Sequence, residues 1–250
     1  MEEVPFITTP DNVTLAMLEM AHVGPGDFVI DLGSGDGRIV IVAAKKFGAR
    51  GLGVEIVPDL VKVSREHAAN AGVADRVVFR EQDLFATDLA QATVITMYLL
   101  PDVNLELRPK ILALKAGTRI VSHDWDMADW TPDKTITLPV PDKKIGLEKS
   151  SKVHLWIVPA RINGGWCGTG KSRGASLDME QKFQQVHAVL TRGTVRHEFD
   201  ARVDGATLKS VDQALALSAA ETGLSVLRAE KEFAPLRGAS FVRRAGERCR

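Results

Sequence analysis

The sequence predicts an α/β fold, a doubly wound and mostly parallel sheet with an antiparallel edge hairpin, followed by a small β-rich appendage. Three observations predict it. Apolar runs alternate with helical repeats through the first half of the chain, a glycine-rich turn joins the first run to its helix, and after residue 131 strand-like segments follow one another without helices. The division expected is a main domain over residues 1–160 and a β-rich segment over residues 161–250 with a basic, partly flexible tail.

The elements follow in order. TTPDNVTLAMLEMAHV carries helix-start signals: a capping threonine at Thr9, Pro10 in the first turn and early acidic residues. DFVIDL reads as a strand and RIVIVAAKKF as a helix stopped by Gly48. GLGVEI is the second strand, and Pro58 opens a helix to about Ala71, closed by Gly72. RVVFRE, ATVITMY and TRIVSHD are further strands, with LELRPKILAL as a broken helical segment before the last. Continuous apolar strands of this kind belong to a parallel sheet covered on both faces. KTITLPV and KVHLWIVP then form an antiparallel edge pair.

The remainder is less punctuated. INGGWCGTGKSRGAS reads as a glycine-rich link, and SLDMEQKFQQVHAVLT and GTVRHEFDARVDGATL as strands broken at Gly193 and Gly205. Gln181, Phe183, Gln184 and Trp166 offer either a binding face or simple packing. DQALALSAAETGLSVLRAEKEF reads as helical, and the arginine-rich tail from Arg237 has no apolar period.

Thirty-two basic and thirty-two acidic residues cancel, so the whole chain has no nucleic-acid signature. The charge is unevenly placed: residues 1–150 hold 22 acidic against 16 basic side chains, and the rest holds 10 against 16. The basic segment suits an acidic or amphipathic partner, or a solvated face. No apolar run reaches membrane-spanning length, and MEEVPFITTP lacks the order of a secretory signal. Cys167 and Cys249 are isolated in sequence, which suits a reducing cytoplasm, and the six histidines have no metal-type spacing, so no metal is expected.

The chemistry-bearing stretch is VIDLGSGDGRIVIVAA. Asp31-Leu32-Gly33-Ser34-Gly35-Asp36-Gly37 lies between a strand and its helix, where open parallel sheets bind ligands. Glycines there adopt positive φ and admit a ligand to the backbone, while helix N-terminal amides favour an electron-rich group. A dinucleotide site calls for G-x-G-x-x-G and a phosphate loop for G-x-x-x-x-G-K-[ST]; neither is present. Glu55 ends the second strand and Gln82-Asp83 follows the third. A carboxylate at the first position suits a ribose diol. Each acid singly also fits a cap or turn; all three at successive strand ends, with the glycine turn between, are hard to read as accident.

This spacing resembles motif I of the class I S-adenosylmethionine-dependent methyltransferases, whose domain is Rossmann-like. ITTPDNVTLAML, DLGSGDGRIVIVAA, GLGVEIVPDLV, YLLP at 98–101 and IVSHDWDMADW narrow the resemblance. Together they resemble bacterial relatives of the lysine methyltransferases of adenine nucleotide translocase and ATP synthase c-subunit, over about residues 5–160. The resemblance implies S-adenosyl-L-methionine as cofactor, held by Asp31, Gly33, Ser34, Gly35, Gly37, Glu55, Gln82 and Asp83. It implies N-methylation of a protein lysine, with a small-molecule acceptor or a non-catalytic S-adenosylmethionine-binding role as alternatives. Eukaryotic members carry a membrane-associating segment before this domain that the chain lacks, which argues against a membrane-embedded substrate; stable membrane insertion is not expected, nor, from the charge balance, is nucleic acid.

Catalytic candidates follow the fourth and fifth strands: Tyr98, the sole tyrosine, with His123 and Asp124. Pro101, Trp125 and Asp126 are assigned to the acceptor. His123 reads as a base or as a hydrogen-bonded structural residue, and Asp126 as an amine ligand or a turn cap. Trp125 and Trp130 suit the core better than a cage. Thr9 and Pro10 either close over the cofactor or only begin the helix.

Overall fold

A computed structural model describes residues 7–143, 148–246 and Cys249. The opening residues 1–6, read above against a secretory signal, lie outside the described residues. Two compact units are present: one takes the chain to Leu114 together with Thr118–Ile157, the other Lys115–Gly117 and the chain from Val158.

The first unit alternates helices and strands: α1 (Asp11–Met20), β1 (Phe28–Leu32), α2 (Arg38–Phe47), β2 (Arg50–Glu55), α3 (Pro58–Asn70), β3 (Val77–Glu81), β4 (Val94–Met97), α4 (Pro101–Leu112), β5 (Arg119–His123), β6 (Lys134–Pro139) and β7 (Ser150–Ile157). The sheet order is β3-β2-β1-β4-β5-β7-β6. β1 to β5 run parallel, and β7 and β6 complete the sheet antiparallel. β1 therefore stands between β2 and β4, where strand order reverses and every carboxyl end of β1–β5 opens on one edge.

Residue chemistry explains the local choices. Gly48, at φ 72°, ends α2 in the left-handed conformation a Cβ disfavours. Gly53 in β2 is bare because the Phe79 ring and Ser34 Oγ fill the space a Cβ would take, at 2.5 and 2.7 Å. Val40, Ala44, Val61 and Ala68 of α2 and α3 join Val77 and Phe79 of β3 in one apolar layer. Val13, Met17 and Leu18 of α1 pack with Val29, Ile39 and Val121 in another.

Two helix readings change. Pro10, not Thr9, is the residue before α1, and no side chain caps that helix; Thr9 is drawn instead to the fifth strand. LELRPKILAL is not broken: α4 begins earlier, at Pro101, and runs through Pro109. The proline removes one backbone donor there, a loss the packing of Leu107 and Ile111 outweighs.

The second unit is a closed antiparallel barrel of eight strands: β8 (Gly164–Thr169), β9 (Ala175–Lys182), β10 (Gln185–Arg192), β11 (Val195–Asp204), β12 (Thr207–Ser210), β13 (Leu215–Ala219), β14 (Gly223–Ala229) and β15 (Ser240–Arg243). Inward side chains such as Trp166, Leu177, Val186, Leu190, Val203 and Phe241 fill it. The glycine-rich link is thus in part a strand, β8. SLDMEQKFQQVHAVLT is a hairpin, turning at Phe183 with φ 54°. The segment expected to be helical is β13, β14 and a 3₁₀ turn, Lys231–Leu236. Gly223 breaks its helical period, and cross-strand burial decides the rest. Within the tail, β15 closes the barrel between β14 and β8, because Phe241 is buried inside. Gln181 serves packing: its Oε1 accepts from the Ile162 N–H and its Nε2 donates to the Ala160 and Phe183 carbonyls. The cysteines are not isolated in space; Cys167 of β8 and Cys249 form a disulfide. That pairing removes the argument from unpaired cysteines to a reducing compartment.

Candidate functional site

The turn after β1 is built by its own backbone. Gly33, Gly35 and Gly37 have φ of 72, 51 and 82°. The Gly33 and Ser34 N–H groups donate to the Val54 carbonyl, at 3.0 and 2.9 Å, and the Gly37 N–H donates to the Ser34 carbonyl. The Gly35 N–H donates to Glu55 Oε2, and the Arg38 N–H to Asp36 Oδ1. These amides are consumed inside the protein, where they fix the shape of the turn. It offers a bare surface at Gly33, which is exposed. Gly37 is buried, and a Cβ on it would sit 2.7 Å from the Phe79 ring. Its role in this structure is close packing. Ser34 Oγ is buried without a partner.

Acidic groups surround that surface. Asp31 is 3% exposed and accepts from Thr96 Oγ1 at 2.7 Å. Burial, reinforced by the charges of Glu55 and Asp36 and opposed by Thr96, pushes its pKa up to about 8. Glu55 ends β2, its Oε1 accepting from the Ile56 and Val57 N–H groups. Gln82 donates to Thr87 Oγ1. Asp83 is exposed, with Oδ1 accepting from the Phe85 N–H. Among the described residues, Ile56, Val57, Phe85, Leu100 and Trp125 are exposed large apolar side chains in the loops of this one edge.

The turn meets the loops after β4 and β5 through side chains. Leu99 Cδ2 lies 3.0 Å from where a Gly33 Cβ would be. Next to it, the Tyr98 ring stacks on His123 with centroids 3.9 Å apart, and its hydroxyl hydrogen-bonds Asp124. His123 is buried; Nδ1 is hydrogen-bonded to Thr9 Oγ1 at 3.2 Å and Nε2 to Ser151 Oγ at 2.9 Å. Burial drives its pKa down to about 4, so it is neutral at physiological pH. Thr9 is also tied to the turn, its carbonyl accepting from Arg38, which pairs with Asp36.

Asp124 has φ 62°, an uncommon conformation for a residue with a Cβ. Its Oδ1 accepts from the Lys152 N–H at 2.9 Å, and its Oδ2 pairs with Lys143 Nζ at 2.8 Å. Burial opposes ionisation, yet Lys143 and the Lys152 N–H hold the carboxyl below its usual range. Asp126 is exposed and its Oδ1 accepts from the Ala128 N–H, a turn cap. Pro101 is half-buried at the first position of α4, and Trp130 is wholly buried.

Sequence reasoning missed Lys143 and Asn104. Asn104 Nδ2 donates to Ser122 Oγ and to the Trp125 and Asp126 carbonyls, clasping the loop after β5. A signal existed: Asn104 falls on the stripe of Leu107 and Ile111, a polar residue on a buried face. No sequence signal marks Lys143.

Residues 31–134 match the ANTKMT methyltransferase domain. A protein-lysine N-methyltransferase of Saccharolobus islandicus is 42% identical, over 53% of this chain and 84% of its own length. The chain belongs to the ANTKMT methyltransferase family. The mouse adenine nucleotide translocase lysine N-methyltransferase is 36% identical over 52% of this chain and 57% of its own, so only a little more than half of that enzyme's length is spanned. A solved structure of an RNA methyltransferase from Salinibacter ruber, in complex with S-adenosyl-L-homocysteine, is 51% identical. It covers 62% of this chain and 96% of its own, with a TM-score of 0.56. The site of this chain has the features to hold an S-adenosyl group of the kind that the Salinibacter structure contains. Its bare turn is ringed by hydrogen-bond acceptors rather than amides, which suits hydroxyls and a cation and disfavours phosphate.

Proposed function

We propose that this methyltransferase methylates a lysine Nζ of a protein. In this reading Glu55 and Asp83 accept from the ribose and adenine of the donor, Asp31 faces its ammonium, and Ile56, Val57 and Phe85 cover its rings. Gly33 forms the surface it lies on, backed by the buried Ser34 and Gly35, with Gln82 at the rim. The donor, when bound, supplies an electrophilic methyl group on a sulfonium.

The residues of the chain then supply alignment, which is worth several kcal/mol in a displacement with so little covalent work for the protein. Asp124, anionic and anchored by Lys152, orients an ammonium. Tyr98 donates to Asp124 and stays a phenol, because burial and the Asp124 charge raise its pKa. His123 holds the Tyr98 ring and is too weak a base to take the proton, which leaves to water. Trp125, Leu100 and Pro101 flank the entry for an aliphatic stem. The observation that carries the reading is that the carboxylate beside Tyr98 already binds a lysine ammonium, at 2.8 Å.

The Salinibacter likeness favours a second reading, an RNA acceptor. The acidic excess of residues 1–150 disfavours phosphate contacts by this unit. Labelled donor mixed with whole-cell lysate separates the two. Label should enter protein, survive ribonuclease and vanish after prior lysine acylation; label lost to ribonuclease makes RNA the acceptor.

A further inference from the structure

Lys143 lies outside the strands that carry the site, in the segment between β6 and β7, yet its ammonium is at the centre of it. The side chain is 16% exposed. Its Nζ donates to the Ser150 carbonyl at 2.6 Å and pairs with Asp124 Oδ2 at 2.8 Å. Asp124 Oδ1 accepts from the Lys152 N–H, and Oδ2, with His123 Nε2 3.5 Å away, is the oxygen that faces a cation. That oxygen belongs to the group Tyr98 touches, and Tyr98 adjoins Leu99 over Gly33. An acceptor lysine would bring the same head group to the same oxygen.

We propose that Lys143 is a resident competitor, its ammonium occupying the seat that an acceptor ammonium takes. This rests on the lysine reading and adds how that site is guarded. A tethered ammonium acts at high effective concentration, so an acceptor binds with its affinity reduced by the fraction of time Lys143 is seated. Acceptors without further contacts are thereby excluded. Because an acceptor ammonium supplies the same charge to Oδ2, the carboxylate stays paired when a well-held acceptor displaces Lys143 by rotation of its side chain.

The probe is n-butylammonium, titrated by calorimetry into protein loaded with S-adenosylhomocysteine. Lys143→Ala should bind it at least ten-fold tighter than wild type, and adding Asp124→Asn should abolish the gain. With poly-L-lysine as acceptor, Lys143→Ala should lower KM about ten-fold with kcat little changed. Lys143→Gln keeps most of the stem and should move both readouts the same way, should the alanine variant not fold. Equal amine binding by wild type and both variants overturns the proposal. So does a fall in kcat at saturating acceptor, which would make Lys143 a support for Asp124. A gain in amine binding without any methylation of poly-L-lysine leaves the seat standing and removes the lysine reading.

Discussion

Asp31 shows what a single buried group costs and contributes. Its folded pKa is raised to about 8 from an ordinary carboxylate value. Between about pH 4 and pH 8 the folded chain therefore holds a proton that the unfolded chain has lost, and stability falls as pH rises through that window. Asp31→Asn should match wild type near pH 4 and exceed it by about 2–5 kcal/mol at pH 8, read from urea unfolding at both pH values. The same variant should bind S-adenosylhomocysteine more weakly; unchanged affinity removes Asp31 from the donor site. His123 acts in the opposite direction, its depressed pKa adding stability above about pH 6.5 that is lost as pH falls towards 4. Tyr98→Phe keeps the stack on His123 and loses the bond to Asp124. We expect kcat to fall about 10–100-fold with donor affinity retained, since alignment and not donor binding is lost. Steady-state kinetics with donor calorimetry checks this.

Among the elements, α4 joins the two loops that would handle the acceptor. It begins in the loop after β4 and reaches the loop after β5 one turn apart, through Asn104 and through Arg108, which donates to the Met127 carbonyl. Asn104→Ala removes the amide that donates to the Asp126 carbonyl, while the Trp125 carbonyl keeps its bond from Ser122 Oγ, and should cost about 1 kcal/mol. Its fall in kcat should exceed its change in donor affinity, with Trp125 fluorescence reporting the loosened loop. The elements of the first unit were legible because glycine and proline punctuate them: Gly48 stops α2 and Pro58 starts α3. In the barrel segment, glycines at turns and inside strands look alike. Leu215–Ala229 satisfied a helical count until strand pairing claimed it.

At the level of the molecule, the barrel is closed by β15 against β8 and fastened by Cys167–Cys249, 82 residues apart in sequence. A cross-link over such a loop lowers the entropy of the unfolded chain by about 4–5 kcal/mol equivalent. Scanning calorimetry of the whole chain with and without dithiothreitol should show a barrel transition lowered by many degrees on reduction. An identical thermogram would mean the cross-link contributes nothing.

Local order in the chain was enough to determine the parallel sheet, the glycine turn and the three acids at neighbouring strand ends. Strand polarity sends those residues to one edge whatever the finer packing. Tertiary structure alone decided that the turn's amides are spent internally, that Thr9 reaches His123 rather than capping a helix, and that Lys143 lies on Asp124. Only there did the barrel close and the cysteines meet. Each of these depends on which distant segments share a register, and register is set by which side chains can be buried together.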